Sequence, residues 1–164
     1  APTRGLMGYT SRFLTLTKGT GVINRIFHGY GKFEGEMDGR KNGALISMEN
    51  GKAVAFAIFN LQARGEMFVT HNDPVYEGMI VGLTPKPGDM IINVMKGKQL
   101  TNMRTQGTDE NVVLTPVRQM SIAEQLSMLN TDEALEITPK SLRLRKAILN
   151  PHDRKKSEKS GAAA

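Results

Sequence analysis

Gly43-Ala44-Leu45-Ile46-Ser47-Met48-Glu49-Asn50-Gly51-Lys52-Ala53-Val54-Ala55-Phe56-Ala57-Ile58-Phe59-Asn60-Leu61-Gln62-Ala63-Arg64-Gly65 is the stretch that decides the fold class. Ala44 to Met48 is a short apolar run closed by Asn50-Gly51, a pair that accepts the positive backbone angles of a tight turn, so it predicts a strand. Lys52 to Ala63 is dense in alanine and large apolar residues and ends at Arg64-Gly65, which predicts a helix buried on most of its circumference. Phe56, Ile58, Phe59 and Leu61 are therefore expected in the core. A strand followed directly by a buried helix, in a chain with 17 glycines and 5% aromatics, points to α+β rather than to a helical bundle.

Outward from that stretch, Met67 to Val69, Gly78 to Thr84 and Met90 to Val94 predict further strands, separated by turns at Asn72-Asp73-Pro74 and Pro85 to Asp89. Asn111 to Val117 predicts another. Ser121-Ile122-Ala123-Glu124 fits a capping box that opens a helix with Ile122, Leu126 and Leu129 on one apolar face. Leu135 to Thr138 and Ser141 to Arg145 alternate around Pro139-Lys140 as a β-hairpin, with a helix starting at Thr138-Pro139 as the competing reading. Toward the N-terminus, Leu6, Tyr9, Phe13 and Leu16 recur at helical spacing from Arg4 to Thr17, with a stop at Lys18-Gly19. Gly21 to Phe33 alternates apolar and polar residues as a strand would, and the charged, glycine-rich Glu34 to Asn42 reads as a linker. From Asn150 onward the chain is charged and is expected to be a frayed tail.

The 164 residues carry 39% apolar content and a formal net charge of +6, enough for a core and a surface that favours polyanionic partners. There is no cysteine, so no disulfide or thiolate metal site is possible. No apolar run reaches the roughly 20 residues of a membrane span. The chain opens at Ala1-Pro2-Thr3 with helical text almost at once and reads as a piece of a longer protein.

A catalytic site is not indicated. His28, His71 and His152 lie in separate segments without the i+3 or i+4 partners that place two ligands on one helix face. Gly51-Lys52-Ala53 lacks the hydroxyl and the upstream glycine of a phosphate-cradling loop, and Gly19-Thr20-Gly21 lacks a lysine. No Gly-x-Ser-x-Gly elbow and no carboxylate pair is visible. The informative feature is instead the long polar connection Lys96 to Glu110. Compact domains rarely keep a loop beyond about 12 to 15 residues unless it binds something or is disordered. Lys96, Lys98 and Arg104 suit phosphates; Gln99, Thr101, Asn102, Thr105, Gln106 and Thr108 can donate and accept to bases, sugars and 2′-hydroxyls. Leu100 and Met103 either pack on a base or anchor the loop. Lys140, Arg143, Arg145 and Lys146 form a second basic set, in which Arg143 and Arg145 share one strand face. Arg154, Lys155, Lys156 and Lys159 add positive charge to the tail.

Several long motifs also resemble one family. Arg4 to Gly8, Phe13 to Thr17, Gly19 to Gly21, Arg40 to Gly43 and Phe59 to Gly65 look like the C-terminal part of the TypA/BipA translational GTPases. So do Val75 to Gly82, Lys98 to Arg104, Gly107 to Glu110 and Thr138 to Lys146, in order, so that the resemblance runs from Arg4 to about Arg154. Gly35 to Gly39 departs from the family's pattern. The resemblance implies that residues 1–40 close a ferredoxin-like domain similar to the fifth domain of elongation factor G. It further implies that 41–156 form a β-rich, family-specific domain with two or more helices, and that 157–164 are a disordered tail. It implies a cytoplasmic, monomeric bacterial ribosome factor acting in stress adaptation and large-subunit assembly. The loop Lys96 to Glu110, with Met103 among its contacts, would approach 23S ribosomal RNA and the tRNA acceptor end. GTP and magnesium would be bound elsewhere in the full-length protein, leaving this part non-catalytic and without a cofactor. A protein-binding module with an incidentally basic surface is the alternative.

Overall fold

The computed structural model describes residues 1–6, 8–33, 35, 40–97 and 113–161. In chain order these form a 3₁₀ turn (Thr3–Leu6), α1 (Tyr9–Leu16), β1 (Ala44–Ser47), β2 (Gly51–Lys52), α2 (Ala55–Gln62), β3 (Glu66–Met67), β4 (Pro74–Val75), β5 (Ile80–Leu83) and β6 (Met90–Ile92). They continue with α3 (Ile122–Ser127), β7 (Glu133–Ile137), β8 (Leu142–Lys146) and α4 (Pro151–Gly161). The α+β class expected from the sequence is the one observed. The chain divides into two units, Ala1–Lys41 with Met120–Thr131, and Asn42–Gln119 with Asp132–Ala164.

The second unit is organised by β1, all four of whose residues are buried. It lies inside a four-stranded sheet of order β3-β5-β1-β6, antiparallel to β5 and parallel to β6. Strand alternation explains how both faces are used. Leu45 and Val81 join Met67 and Ile92 and meet Ala53, Ile58 and Leu61 from the α2 segment, in one core that also takes Val69, Val75, Met79 and Val94. Ile46 and Ile80, of opposite parity, are buried on the other side. β7 and β8 pair antiparallel from Glu133↔Lys146 to Ile137↔Leu142, and Met79, just before β5, bridges to Arg145. The hairpin closes where Thr138 N–H donates to Ser141 O at 2.9 Å and Ser141 N–H to Thr138 Oγ1 at 3.0 Å, so the competing helical reading of Thr138-Pro139 does not apply.

Gly65 follows α2 for a reason other than the left-handed helix stop expected: a Cβ there would overlap the Leu83 carbonyl of β5. Asn72 does take the left-handed conformation, φ 70°, in the predicted turn, and Thr70 N–H donates to Asp73 Oδ2 at 2.7 Å.

The first unit is built differently. The predicted first helix is divided at Gly8, φ 73°, and stops as expected at Lys18 and Gly19, where Gly19 N–H reaches Leu14 O at 2.7 Å. Gly21 to Phe33, expected as a strand, has no regular secondary structure, and Val22, Ile26, Phe27, Tyr30 and Phe33 are exposed. The reason is pairing: a strand needs a neighbour to satisfy its backbone, and none of the described residues supplies one. Arginines bridge the unit instead. Arg25 Nη2 donates to Thr10 Oγ1 at 2.7 Å, Arg40 Nη1 to Met128 O at 3.1 Å, and Arg4 lies 4.9 Å from the centre of the Phe33 ring. The capping box of α3 forms as predicted, Glu124 N–H donating to Ser121 Oγ and Ser121 N–H to Glu124 Oε2. The expected apolar face does not become a buried one, for Ile122 and Leu126 are exposed and Gln125 is the buried residue.

Two further expectations are corrected. Residues 113–117 are irregular rather than a strand, in keeping with Pro116, which has no N–H for a ladder. The tail expected to fray from Asn150 forms α4. Asn150 Oδ1 accepts from His152 N–H at 2.9 Å, Pro151 opens the helix and Asp153 lies in its first turn, a start signal that the charged composition masked.

Candidate nucleic-acid interface

Of the residues singled out in the long connection, Lys96 is described and is exposed. Lys98, Gln99, Thr101, Asn102, Met103, Arg104, Thr105 and Thr108 lie outside the described residues. The two stems are well defined. Val54 N–H, at the start of α2, donates to Val94 O at 2.9 Å, and Met95 packs against the core. On the return, Leu114 packs against the same core, and the Gln62 amide makes two bonds with Thr115, Nε2 to O at 2.9 Å and N–H to Oε1 at 3.2 Å. A strand-like pairing is thus replaced by one side chain at the end of α2. Arg118 and Glu66 add an ion pair at 3.8 Å.

The connection therefore leaves beside one end of α2 and returns beside the other. Eight helical residues separate the stems by about 12 Å. Ala57, Ile58 and Leu61 anchor the helix, while Phe56, Phe59, Asn60 and Ala63 share its other side at i, i+3, i+4 and i+7 spacing. Phe59 is 50% exposed, which corrects its expected place in the core. The near-continuous apolar run hid this, because it has no polar face to orient it.

The second basic set is divided by strand parity. Arg143 and Arg145 share the outer face of β8, half-buried, and Lys140 is exposed at the hairpin turn. Glu136, opposite Arg143, accepts from its Nη1 at 3.3 Å and from the Tyr76 hydroxyl at 2.6 Å. Burial, then that hydrogen bond to a carboxylate, push the Tyr76 phenol up to about 12. Arg145 Nη1 donates to Lys146 O at 3.2 Å.

Lys146 itself has the parity of Leu142 and Leu144 and points inward, 1% exposed. Its ammonium pairs with Asp89, with Asp132 at 2.6 Å and with the wholly buried Glu133 at 3.0 Å. Burial acts to lower its pKa, but the bonds to these carboxylates prevail and raise it. Lys146 is thus a structural charge and leaves the expected surface set. Counting residues from Leu142 would have found this; reading the basic residues as a cluster concealed it.

In α4, Arg154 Nη1 donates to Ile148 O and Leu149 O, at 2.9 and 2.6 Å, and so ties the helix to its approach. Lys155, Lys156 and Lys159 are exposed and share a helical stripe with His152. Among the described residues no group of His, Asp or Glu is placed to hold a metal ion, and no helix is long and apolar enough to cross a membrane.

Residues 42–151 match the family described as the TypA/BipA C-terminal domain. The chain belongs to that family. It is 47% identical over 157 residues to the large ribosomal subunit assembly factor BipA of Buchnera aphidicola, covering 95% of this chain and 26% of that protein. It is 46% identical over 159 residues to the factor of the same name from Salmonella typhimurium, covering 96% and 26%, and 45% identical over 164 residues to that from Bacillus subtilis, covering 99% and 27%. The chain thus spans about a quarter of the length of these relatives. The segments bounding the long connection, from α2 to Thr115, fall inside the family match.

Proposed function

We propose that this chain is the ribosome-docking part of a translational GTPase that acts in large-subunit assembly and stress adaptation. It contacts 23S ribosomal RNA and the tRNA acceptor end through Lys96 to Glu110. The carrying observation is that both stems of this connection are fastened to one core-anchored helix by named hydrogen bonds, which gives the polar residues between them a rigid base. The relatives' name, large ribosomal subunit assembly factor, supports the choice of partner. On this reading GTP and magnesium chemistry belongs to the remainder of the full-length protein, and the chain itself is a cytoplasmic monomer that binds without catalysing. Lys140, Arg143 and Arg145 provide a secondary contact that is partly neutralised by Glu136.

The test is binding to isolated large subunits at two salt concentrations. Replacing Lys98, Gln99 and Arg104 together by alanine is expected to weaken binding and flatten its salt slope by about two phosphate contacts. Unchanged affinity and slope would contradict the assignment. A second reading, a protein-binding module, draws on the exposed Val22, Ile26, Phe27, Tyr30 and Phe33. Partner capture that survives nuclease digestion would favour it.

A further inference from the structure

The exposed ring of Phe59 is the feature of α2 that the core does not use. Burying Ala57, Ile58 and Leu61 fixes the helix, so this ring stands on a rigid support while remaining 50% exposed. It lies between the two stems of the long polar connection, because Val54 meets Val94 before α2 and Gln62 meets Thr115 at its end. Exposed cations lie just beyond both ends of its helix. Lys52 and Lys96 each follow or precede the Val54–Val94 pair by two residues, and Arg64 comes two residues after α2. An exposed ring on a helix with cations at both ends suits single-stranded RNA: the cations take phosphates and the ring takes a base. A protein partner would gain nothing from the flanking charges unless it were itself acidic, and the chain's net charge of +6 favours the polyanion in general.

We propose that Phe59 is a stacking platform for an unpaired base of ribosomal RNA. The proposal rests on the reading of Lys96 to Glu110 as an RNA contact and extends that contact to the helix carrying its stems. Stacking and phosphate neutralisation differ in their salt dependence, since a base stacked on a neutral ring releases no counterion. Removing the ring should lower affinity at every salt concentration by a similar factor, whereas removing loop cations changes the slope.

The chain contains no tryptophan, so Phe59→Trp introduces a single reporter at the proposed platform. The probe is protein-free 23S ribosomal RNA, with intact large subunits in parallel. Wild-type binding to the RNA comes first; its absence would defeat the parent reading and this proposal with it. Given that binding, Phe59→Ala is expected to loosen it about ten-fold with the salt slope unchanged. Phe59→Trp is expected to keep wild-type affinity and lose fluorescence as the RNA saturates it. Circular dichroism of each variant establishes that the fold is retained. Wild-type affinity in Phe59→Ala, while the triple loop variant is weakened, would overturn the platform and leave the loop assignment standing. Full affinity in Phe59→Leu would likewise overturn it, by showing that apolar burial without a ring suffices. So would an unquenched tryptophan at saturation, or a Phe59→Ala defect seen with intact subunits and absent with the free RNA, which would mark a protein contact.

Discussion

The two units of this chain carry apolar residues in similar style and use them oppositely. Every buried apolar residue among those described belongs to the second unit, where β1 is covered on both faces; the first contributes one buried residue, Gln125. The difference lies in partners. Ala44 to Ser47 has β5 on one side and β6 on the other, so its backbone is paired and its side chains enter a core. Gly21 to Phe33 alternates apolar and polar residues and has no strand beside it among the described residues, and its apolar side chains stay in solvent. An apolar pattern suits a strand, alternating or continuous, but the strand forms only where a neighbour pairs its backbone.

Truncating one residue in each region should have very different effects. Leu45→Ala should cost the chain about 3 to 5 kcal/mol in a denaturant titration, because the methyl groups removed leave a cavity among Ile58, Leu61 and Val81. Next comes Lys146→Met, which leaves Glu133 buried without its cation. A loss of about 2 to 3 kcal/mol is expected, below that of a fully enclosed pair because Asp132 is 57% exposed. The effect has a pH signature. The folded pKa of Lys146 is raised, so its contribution is complete below the ordinary value of 10.5 and is lost as pH climbs through the higher folded value. The gap between wild type and Lys146→Met should therefore be constant from neutral pH to about 10 and narrow above 10.5. A gap that widened in alkali would refute the ion-pair account.

A smaller effect is expected at the C-terminal helix. Asn150→Ala removes the acceptor for His152 N–H and should cost about 1 kcal/mol locally, read as faster amide exchange across α4 with the core unaffected. Smallest is Phe27→Ala, whose ring is 74% exposed; a change within about 0.5 kcal/mol is expected. A large loss there would mean that the first unit has a core after all.

Much of the second unit was legible. Ala44 to Gly65 reads as a strand followed by a helix, and both form, although Gly51-Lys52, read as turn and helix start, make the short strand β2. The Ser121–Glu124 box and the hairpin around Pro139-Lys140 are specified by bonds between residues three apart. What escaped depended on long-range contacts or on reading composition where position mattered. Phe59 sits among apolar neighbours and is outward only because Ile58 and Leu61 take the core side of the helix. Lys146 belongs to a basic cluster in the text and to the inner face by parity. Asn150-Pro151 was a helix start hidden by a charged tail. For the candidate site, the length and chemistry of the long connection were visible, and its fastening to both ends of α2 was not, because Gln62 and Thr115 are distant in sequence.

The most direct test of the ribosomal RNA assignment is the affinity of this chain for protein-free 23S ribosomal RNA across a series of monovalent salt concentrations. The proposed neutralisation of phosphates by Lys96, Lys98, Arg104 and the cations around α2 predicts tight binding at low salt and a steep linear fall of log affinity with log salt. Affinity that is absent at low salt, or flat across the series, would contradict it.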